Sequence, residues 1–248
     1  MSIIETAPSQ GGRASPAAPS RRERVRAQTV EDIKTVARQH LVAHGTTGVQ
    51  LRAVARDLGM TAPALYRYFD SHEALLAALV GDLYAELADV IEAAADPSRG
   101  DLEARLRGSA RAFRHWSVDH PAEFTLLFGS PIPGVGVDEG GPEHAQARRF
   151  GQAFGALFGE MWEREPFPVP EHIDPAMLTH LEEYAEHVGV TLPPAAIAVF
   201  LSCWVRLYGA VTMEVFGHVS FALSDAEPLF EHELEGLCAT LGLPTAGC

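Results

Sequence analysis

The sequence predicts an all-α protein, and three features of its 248 residues indicate this. Apolar side chains recur at intervals of three and four residues along most of the chain, which is the period of an amphipathic helix. No segment alternates apolar and polar residues convincingly, as a half-buried strand would. Breaks containing proline and glycine divide the periodic segments into lengths that are typical of globular helices.

The first twenty residues mix Pro, Gly, Ser and Ala without an apolar segment. They predict a disordered leader over residues 1–20, and not a signal peptide. We see no apolar run near the length that a bilayer requires, so no membrane association is expected. The three cysteines (Cys203, Cys238 and Cys248) lie far apart and lack metal-ligand spacing, which argues against a disulfide framework or a zinc site. The expected location is therefore the reducing cytoplasm.

The next segment predicts two helices joined by short breaks. A first amphipathic helix is expected from Arg24 to His44, and Gly45 ends it. A second, shorter helix is expected from Leu51 to Leu58. Gly59 follows it and supplies the left-handed conformation that commonly ends a helix.

A third and a fourth helix complete the amino-terminal part. Thr61 can cap the third helix and Pro63 suits its first turn, with Leu65 and Phe69 facing inward. After a break at Asp70 and Ser71, a long helix rich in Ala and Leu is expected over residues 73–95.

The segment Asp96–Gly100 interrupts this pattern and is the predicted seam between two domains. Beyond it the helical period resumes with a different composition. Helices are predicted at about 101–118, 121–128, 144–164, 174–189, 195–217 and 226–241.

Charge divides the chain unevenly. Residues 1–80 hold ten Lys or Arg against seven Asp or Glu, a formal charge of +3, whereas the remainder holds nine basic and 26 acidic residues, a charge of −17. Because a polyanion is repelled by the acidic body, only the amino-terminal third is a plausible nucleic-acid surface.

The link Leu58-Gly59-Met60-Thr61 joins two short helices as in a DNA-binding helix-turn-helix. The stretch from Val49 to Phe69, VQLRAVARDLGMTAPALYRYF, resembles the helix-turn-helix of the tetracycline-repressor (TetR) family. The Leu-Tyr-x-x-Phe element, followed by a capping Ser and a Glu, is its most specific part, and the similarity runs from about Arg24 to Leu83. It implies a three-helix helix-turn-helix DNA-binding domain at 21–71, a connecting helix and loop at 72–100, and a larger helical ligand-binding and dimerisation domain at 101–248.

The resemblance implies a set of DNA-contacting residues on the third helix and around it. These are Arg22, Arg24, Arg52, Thr61, Ala62, Pro63, Ala64, Tyr66, Arg67, Tyr68 and His72. The family usually has a lysine where His72 stands and a Ser or Thr cap where Gln50 stands. These departures suggest that an arm containing Arg21, Arg22, Arg24 and Arg26 adds affinity for the DNA backbone or minor groove.

The predicted second domain is dense in aromatic residues, which could line an apolar cavity or simply form its core. Its candidate ligand-binding residues are Phe113, Trp116, Phe128, Phe154, Phe158, Trp162, Phe200, Trp204 and Tyr208. Phe154, Phe158 and Trp162 share one helical stripe and Trp204 and Tyr208 share another, so the two stripes are expected to converge on one ligand. The segment Trp204–Gly209 also resembles one class of TetR ligand-binding domains.

No catalytic, cofactor or metal motif is found. The neighbouring pairs of His and Glu at residues 180–187 and 231–233 lack a second ligand set, which indicates solvated helix faces.

The sequence therefore predicts a ligand-responsive transcriptional repressor, released by a small apolar or aromatic effector. It is expected to bind a pseudo-palindromic double-stranded operator as a homodimer, through the helices at about 195–217 and 226–241, where Gly209 and Ala210 allow close approach. Two alternatives stay open: a small-molecule-binding enzyme or carrier with an incidental basic region, and a regulator controlled by a protein partner.

Overall fold

The computed structural model describes residues 20–132, 135, 142–188 and 192–244. Within these ranges the secondary structure is helical apart from an isolated bridge between Ile132 and Val135. The described helices are α1 (Arg21–His44), α2 (Leu51–Asp57), α3 (Ala62–Leu65), α4 (His72–Ala95), α5 (Leu102–Asp119), α6 (Pro121–Phe128), α7 (Pro142–Arg164), α8 (Pro175–Val188), α9 (Pro194–Val215) and α10 (Glu227–Thr240). The predicted all-α class is confirmed, whereas most of the predicted leader lies outside the described residues.

Helix α1 begins at Arg21, earlier than the apolar period indicates, because Ser20 and Glu23 form a capping box. The Ser20 hydroxyl accepts from the Glu23 amide at 3.2 Å, and the Ser20 amide donates to the Glu23 carboxylate at 2.6 Å. Each side chain satisfies an amide that the helix leaves unpaired. The arginines from Arg21 to Arg26 are therefore helical and do not form an extended arm.

The amino-terminal helices enclose a small core. Both predicted stop residues adopt positive φ, 69° at Gly45 and 66° at Gly59, where a side chain would be strained. Leu65 is fully buried and Phe69 is 8% exposed, so both face inward as predicted.

Helix α3 is shorter than predicted. Regular α-helix ends at Leu65, and tighter bonds continue the turn, with the Tyr68 amide donating to the Leu65 carbonyl at 2.8 Å. This tightening brings Phe69 into the core while leaving Tyr66 and Arg67 outside.

Helix α4 is shared by the two parts of the molecule. Its apolar residues from Leu75 to Ile91 are buried against α1 at one end and against α5 and α7 along the other. The predicted break between helices is present, since α4 ends at Ala95 and a short 3-10 turn, Pro97–Arg99, precedes α5, whereas the domain boundary at this break stays a prediction.

Ion pairs connect α5 to α9 and α10. Arg107, Arg111 and Arg114 lie on one face of α5 and pair with Glu235, Glu231 and Glu214, each at 2.7 Å. Arg107 and Arg114 are almost fully buried. Without these partners, their buried charges would destabilise the protein.

Helix α9 is long and apolar enough to cross a membrane by length and composition, with a mean hydropathy of 1.6, so the expectation that no apolar run approaches that length was wrong. Two observations are typical of a helix in a globular domain and apply to α9. It packs against α5, α7, α8 and α10. Midway along it, Arg206 pairs with Glu233 of α10 at 2.7 Å. Length and composition alone are therefore weak evidence for a membrane span.

Candidate DNA-binding face and effector cavities

The predicted recognition segment presents an outward face. Thr61, Pro63, Tyr66 and Arg67 are exposed, with Tyr66 at 46%. Ala62 and Ala64 are partly exposed between them, and Arg52 is exposed on α2. The local packing explains this division, because Leu65 and Phe69 occupy the core and force the intervening side chains outward.

Two cap positions differ from the usual arrangement. Thr61 has the extended backbone of a cap residue, yet its side chain makes no capping bond. Gln50, at the start of α2, likewise makes none and donates weakly to the Thr47 carbonyl at 3.4 Å. The prediction that Thr61 caps α3 is thus confirmed for its backbone conformation only.

The first turns of α1 lie beside the end of the recognition segment. The guanidinium of Arg26 sits 4.9 Å from the ring centre of Tyr68 and donates to the Arg67 carbonyl at 3.2 Å. Arg26 therefore joins α1 to the recognition segment, whereas Arg22 and Arg24 are exposed.

The remaining predicted contact, His72, is the first residue of α4. Its side chain is 38% exposed, and its Nδ1 lies 3.8 Å from the Glu73 carboxylate. The Ser71 hydroxyl accepts from the Ala74 amide at 3.1 Å, so the predicted cap of α4 is confirmed.

A partly buried polar network joins this region to the second domain. Arg38 of α1 donates to Glu86 of α4 at 2.6 Å and to Glu123 of α6 at 3.0 Å, and the Trp116 indole donates to Glu86 at 2.8 Å. Burial acts to raise the pKa of Glu86, but the hydrogen bonds from Arg38 and Trp116 outweigh it, so the net pKa is lowered. The carboxylate is therefore charged at the point where four helices meet.

The two predicted aromatic stripes converge. Phe154 of α7 lies 6.2 Å from Trp204 of α9 between ring centres, and Phe113 of α5 lies 5.5 Å from Trp204. Phe158 lies 5.0 Å from Phe200. The space left between these rings is a cavity of about 30 Å³, so in this conformation they serve chiefly as core.

Five members of the predicted ligand set do not line this cavity: Phe113, Trp116, Phe128, Trp162 and Tyr208. Tyr208 nevertheless stacks on Trp204, with ring centres 5.7 Å apart. Trp116 belongs to the Arg38 network and stacks on His120, with ring centres 5.1 Å apart. Trp162 packs on Phe167 at 5.1 Å, and the Tyr208 hydroxyl donates to the Phe128 carbonyl at 2.9 Å. The walls of the 30 Å³ cavity also include non-aromatic residues that the aromatic pattern missed: Leu106, Ala110, Cys203, Leu207, Leu234, Leu237 and Leu241.

A larger cavity, of about 210 Å³, lies between α4 and α6. Tyr84 lines it, and sequence reasoning missed this residue because a tyrosine beside Leu83 in a long apolar helix carries no distinguishing signal. Burial raises the pKa of Tyr84 to about 12. We find no group of three metal-ligating side chains within the described ranges.

Comparisons with known proteins agree with this geometry. The family described as "Bacterial regulatory proteins, tetR family" matches residues 33–79. The family described as "Tetracyclin repressor-like, C-terminal domain" matches residues 106–237. The first match contains the helix-turn-helix and the second begins in α5 and ends in α10.

Individual relatives cover nearly the whole chain. It is 31% identical over 222 residues to the HTH-type transcriptional regulator Mb1846 of Mycobacterium bovis, a match covering 89% of this chain and 93% of the relative. The HTH-type transcriptional regulator Rv1816 of Mycobacterium tuberculosis matches with the same identity and coverage. These relatives are named as regulators, which favours that hypothesis over an enzyme or carrier.

Solved structures show the same fold. A regulatory protein, SCO4313, superposes with a TM-score of 0.71 at 32% identity, covering 89% of this chain and all of that one (100%). RolR, crystallised with resorcinol, superposes with a TM-score of 0.53 at 16% identity over 90% of this chain and 92% of its own.

Proposed function

Because this chain belongs to the TetR family of bacterial transcriptional regulators, we propose that it is a cytoplasmic repressor that leaves its operator when a small, mainly apolar molecule binds its second domain. Residues 21–71 form the DNA-binding domain, residues 72–100 connect it, and residues 101–248 bind the effector and a second copy. The observation that carries the proposal is the outward face of α3 on a buried three-helix core.

The DNA contacts divide by chemistry. Ala62, Pro63 and Ala64 offer apolar surface to thymine methyl groups, and Arg67 can pair with guanine or with phosphate. Tyr66 and Tyr68 have hydroxyl groups suited to phosphate. Arg22, Arg24, Arg52 and His72 surround this face and neutralise the backbone, while Thr61 contributes its unengaged hydroxyl.

A homodimer is supported by an unusually exposed apolar surface on α9 and just after it. Val205 is 66% exposed and Met213 41%, and Phe221, in the turns after α9, is 89% exposed. A Cβ added at Gly209 would meet no atom within 4 Å, so a partner helix can approach there. Large apolar side chains in this density mark an interface. Two copies related by a twofold axis place two recognition segments on a pseudo-palindromic operator.

The effector is expected to act through α6. This helix contacts both α1 and α4, carries Glu123 toward Arg38, and carries Phe124 and Phe128 into the aromatic core. A molecule that displaces α6 therefore moves α1 and changes the separation of the two recognition segments. The fold can hold a single-ring ligand, since RolR has been crystallised with resorcinol.

The effector-binding set deduced from the sequence is kept as a proposal in a narrower form. Phe154, Phe158, Phe200 and Trp204 line the 30 Å³ cavity, which would have to expand to admit a ligand. The 210 Å³ cavity beside Tyr84 requires no such expansion for a molecule of one ring.

The experiment that tests the function starts from DNA. The full-length protein is mixed with a pool of random duplexes, and the bound fraction is recovered and sequenced. A repressor of this type enriches a sequence with two inverted half-sites about one helical turn apart. Arg67→Ala should lose this enrichment while folding normally, and recovery of sequences without a shared half-site would contradict the proposal.

A further inference from the structure

The cavity between α4 and α6 has the size of a small ring compound. Val80 and Tyr84 of α4 form one wall, Leu126 of α6 forms another, and Pro131 and Ile132 follow from the next segment. Its volume is about 210 Å³. An apolar cavity of about 150 Å³ suffices for benzene, so this one admits a single ring with a short substituent.

One polar group in this cavity, the Tyr84 hydroxyl, makes no hydrogen bond to the described residues. Tyr84 is 8% exposed, and its ring packs edge-on against Phe128 with centres 5.9 Å apart. Across the described residues, nothing hydrogen-bonds to its hydroxyl, whereas the hydroxyl of nearby Tyr208 is satisfied by the Phe128 carbonyl. Because this hydroxyl makes no hydrogen bond to the described residues, it is available to a ligand atom in the cavity, and that bond would strengthen binding.

The walls also restrict the ligand's charge. Among the described residues, the lining is apolar apart from Tyr84 and Ser130 and includes no Asp, Glu, Lys, Arg or His. A carboxylate or ammonium group bound here would lose its hydration without gaining a counter-charge from the walls. The lining therefore selects neutral molecules.

We propose that this cavity binds a neutral, single-ring molecule with one hydrogen-bonding oxygen, which the Tyr84 hydroxyl holds. The inference rests on the proposed function for its regulatory meaning, because it assigns the effector's chemical class and its position. Binding itself can be measured without DNA.

The test compares three probes on the full-length protein by titration calorimetry or ligand-observed NMR. Benzyl alcohol has the ring and the oxygen, toluene has the ring alone, and benzoate has a charge. In wild-type protein both neutral probes should bind, and benzoate should bind about tenfold more weakly than benzyl alcohol. Tyr84→Phe should lower the ratio of benzyl alcohol affinity to toluene affinity about fivefold, because only the alcohol loses a hydrogen bond.

The control is the same substitution outside the cavity. Tyr184 of α8 is half-buried and does not line the cavity, so Tyr184→Phe should leave the ratio unchanged. Tyr84→Phe removes a hydroxyl that makes no hydrogen bond to the described residues, so its melting temperature should stay close to that of the wild type, which would show that it folds.

The outcomes separate this inference from the proposed function. An unchanged ratio in Tyr84→Phe, failure of both neutral probes to bind, or benzoate binding as tightly as benzyl alcohol would overturn the inference and leave the DNA-binding proposal intact. Tyr84-dependent binding of benzyl alcohol that leaves operator DNA bound at saturation would support the site and contradict effector release.

Discussion

Single exposed side chains in and just after α3 are expected to set the strength of operator binding. Arg67→Ala and Tyr66→Phe each remove one polar group from an exposed position, and each should weaken operator binding by about 1 to 3 kcal/mol if the group contacts a base. The Arg67 carbonyl still accepts from Arg26, so the fold is retained. Mobility-shift titration measures the loss.

Arg99→Ala is the matched control for Arg67→Ala. Arg99 is exposed and lies in the 3-10 turn after α4, so it should leave operator affinity unchanged. Equal affinities for wild type, Arg67→Ala and Tyr66→Phe would remove both residues from the DNA-binding site.

A substitution at His72 should strengthen DNA binding, whereas the previous substitutions should weaken it. The resemblance places a lysine at this position, and the side chain is accessible at the first residue of α4. His72→Lys adds a full positive charge and should tighten DNA binding while steepening the logarithmic salt dependence by about 0.9. An unchanged salt slope would show that this position does not meet a phosphate.

At the scale of the helix, the first turns of α1 have two separate tasks. Arg22 and Arg24 are exposed and should neutralise phosphates, whereas Arg26 stabilises the recognition segment through Tyr68. The double change Arg22→Ala with Arg24→Ala should flatten the salt slope by about 0.9 for each phosphate that is no longer neutralised. It should weaken specific and non-specific binding alike.

The matched control for this pair is Arg99→Ala with Arg148→Ala, which removes two exposed arginines outside the DNA-binding domain. A truncation through Arg26 would be a poorer test, because it also removes the interaction with Tyr68. Equal salt slopes for the two double variants would show that Arg22 and Arg24 do not contact phosphates.

The ion pairs between α5 and α10 make stability depend on pH. The hydrogen bond from Arg111 lowers the pKa of Glu231 below its ordinary 4.5. A folded pKa below the unfolded value gives stability that is present above about pH 4.5 and is lost as the pH falls through the folded pKa. Glu231→Gln should therefore melt below wild type at pH 7, and the gap should narrow as the pH falls from about 4.5 through the folded pKa.

An exposed acid on α8 gives the control for this pH series. Glu182→Gln should follow the wild-type melting temperature at every pH. A gap between Glu231→Gln and wild type that stays constant from about pH 7 to about pH 3.5 would contradict the ion-pair interpretation.

For the whole molecule, the apolar surface of α9 should control assembly. Val205 is 66% exposed, so Val205→Glu should fold normally as a monomer while placing a charge in the proposed interface. Sedimentation should then report a monomer, and operator affinity should fall sharply because one half-site binds too weakly alone. Val42→Glu, at an exposed apolar residue of α1, should remain dimeric, and a dimeric Val205→Glu would place the interface elsewhere.

The helices were predictable because their signals are local. Gly45 and Gly59 end helices where the sequence requires a left-handed residue, and the spacing of Leu65 and Phe69 orients α3. The shortening of α3 was not predictable, since the tighter bonds after Leu65 depend on how Phe69 packs into the core.

The candidate effector site was only partly predictable, for a related reason. Helical spacing shows which residues share a face, as Phe154 and Phe158 do, but it does not show which faces of different helices meet. Trp116 therefore joined the predicted ligand set although it bonds to Glu86 in another network. Tyr84 stands out only once packing shows that it lines the cavity between α4 and α6.

Helix α6 also has an evolutionary consequence. In eight residues it holds Glu123, which is 3% exposed beside Arg38, and the rings of Phe124 and Phe128 in the aromatic core. The cavity that we propose for the effector is lined by Leu126 of the same helix, so a substitution that reshapes this wall for a new inducer is expected to shift Glu123 and alter repression in the absence of any inducer. We expect lineages that change inducer specificity to acquire compensating changes at Arg38 or Glu86, which makes this short helix a pleiotropic constraint on how the regulator diversifies.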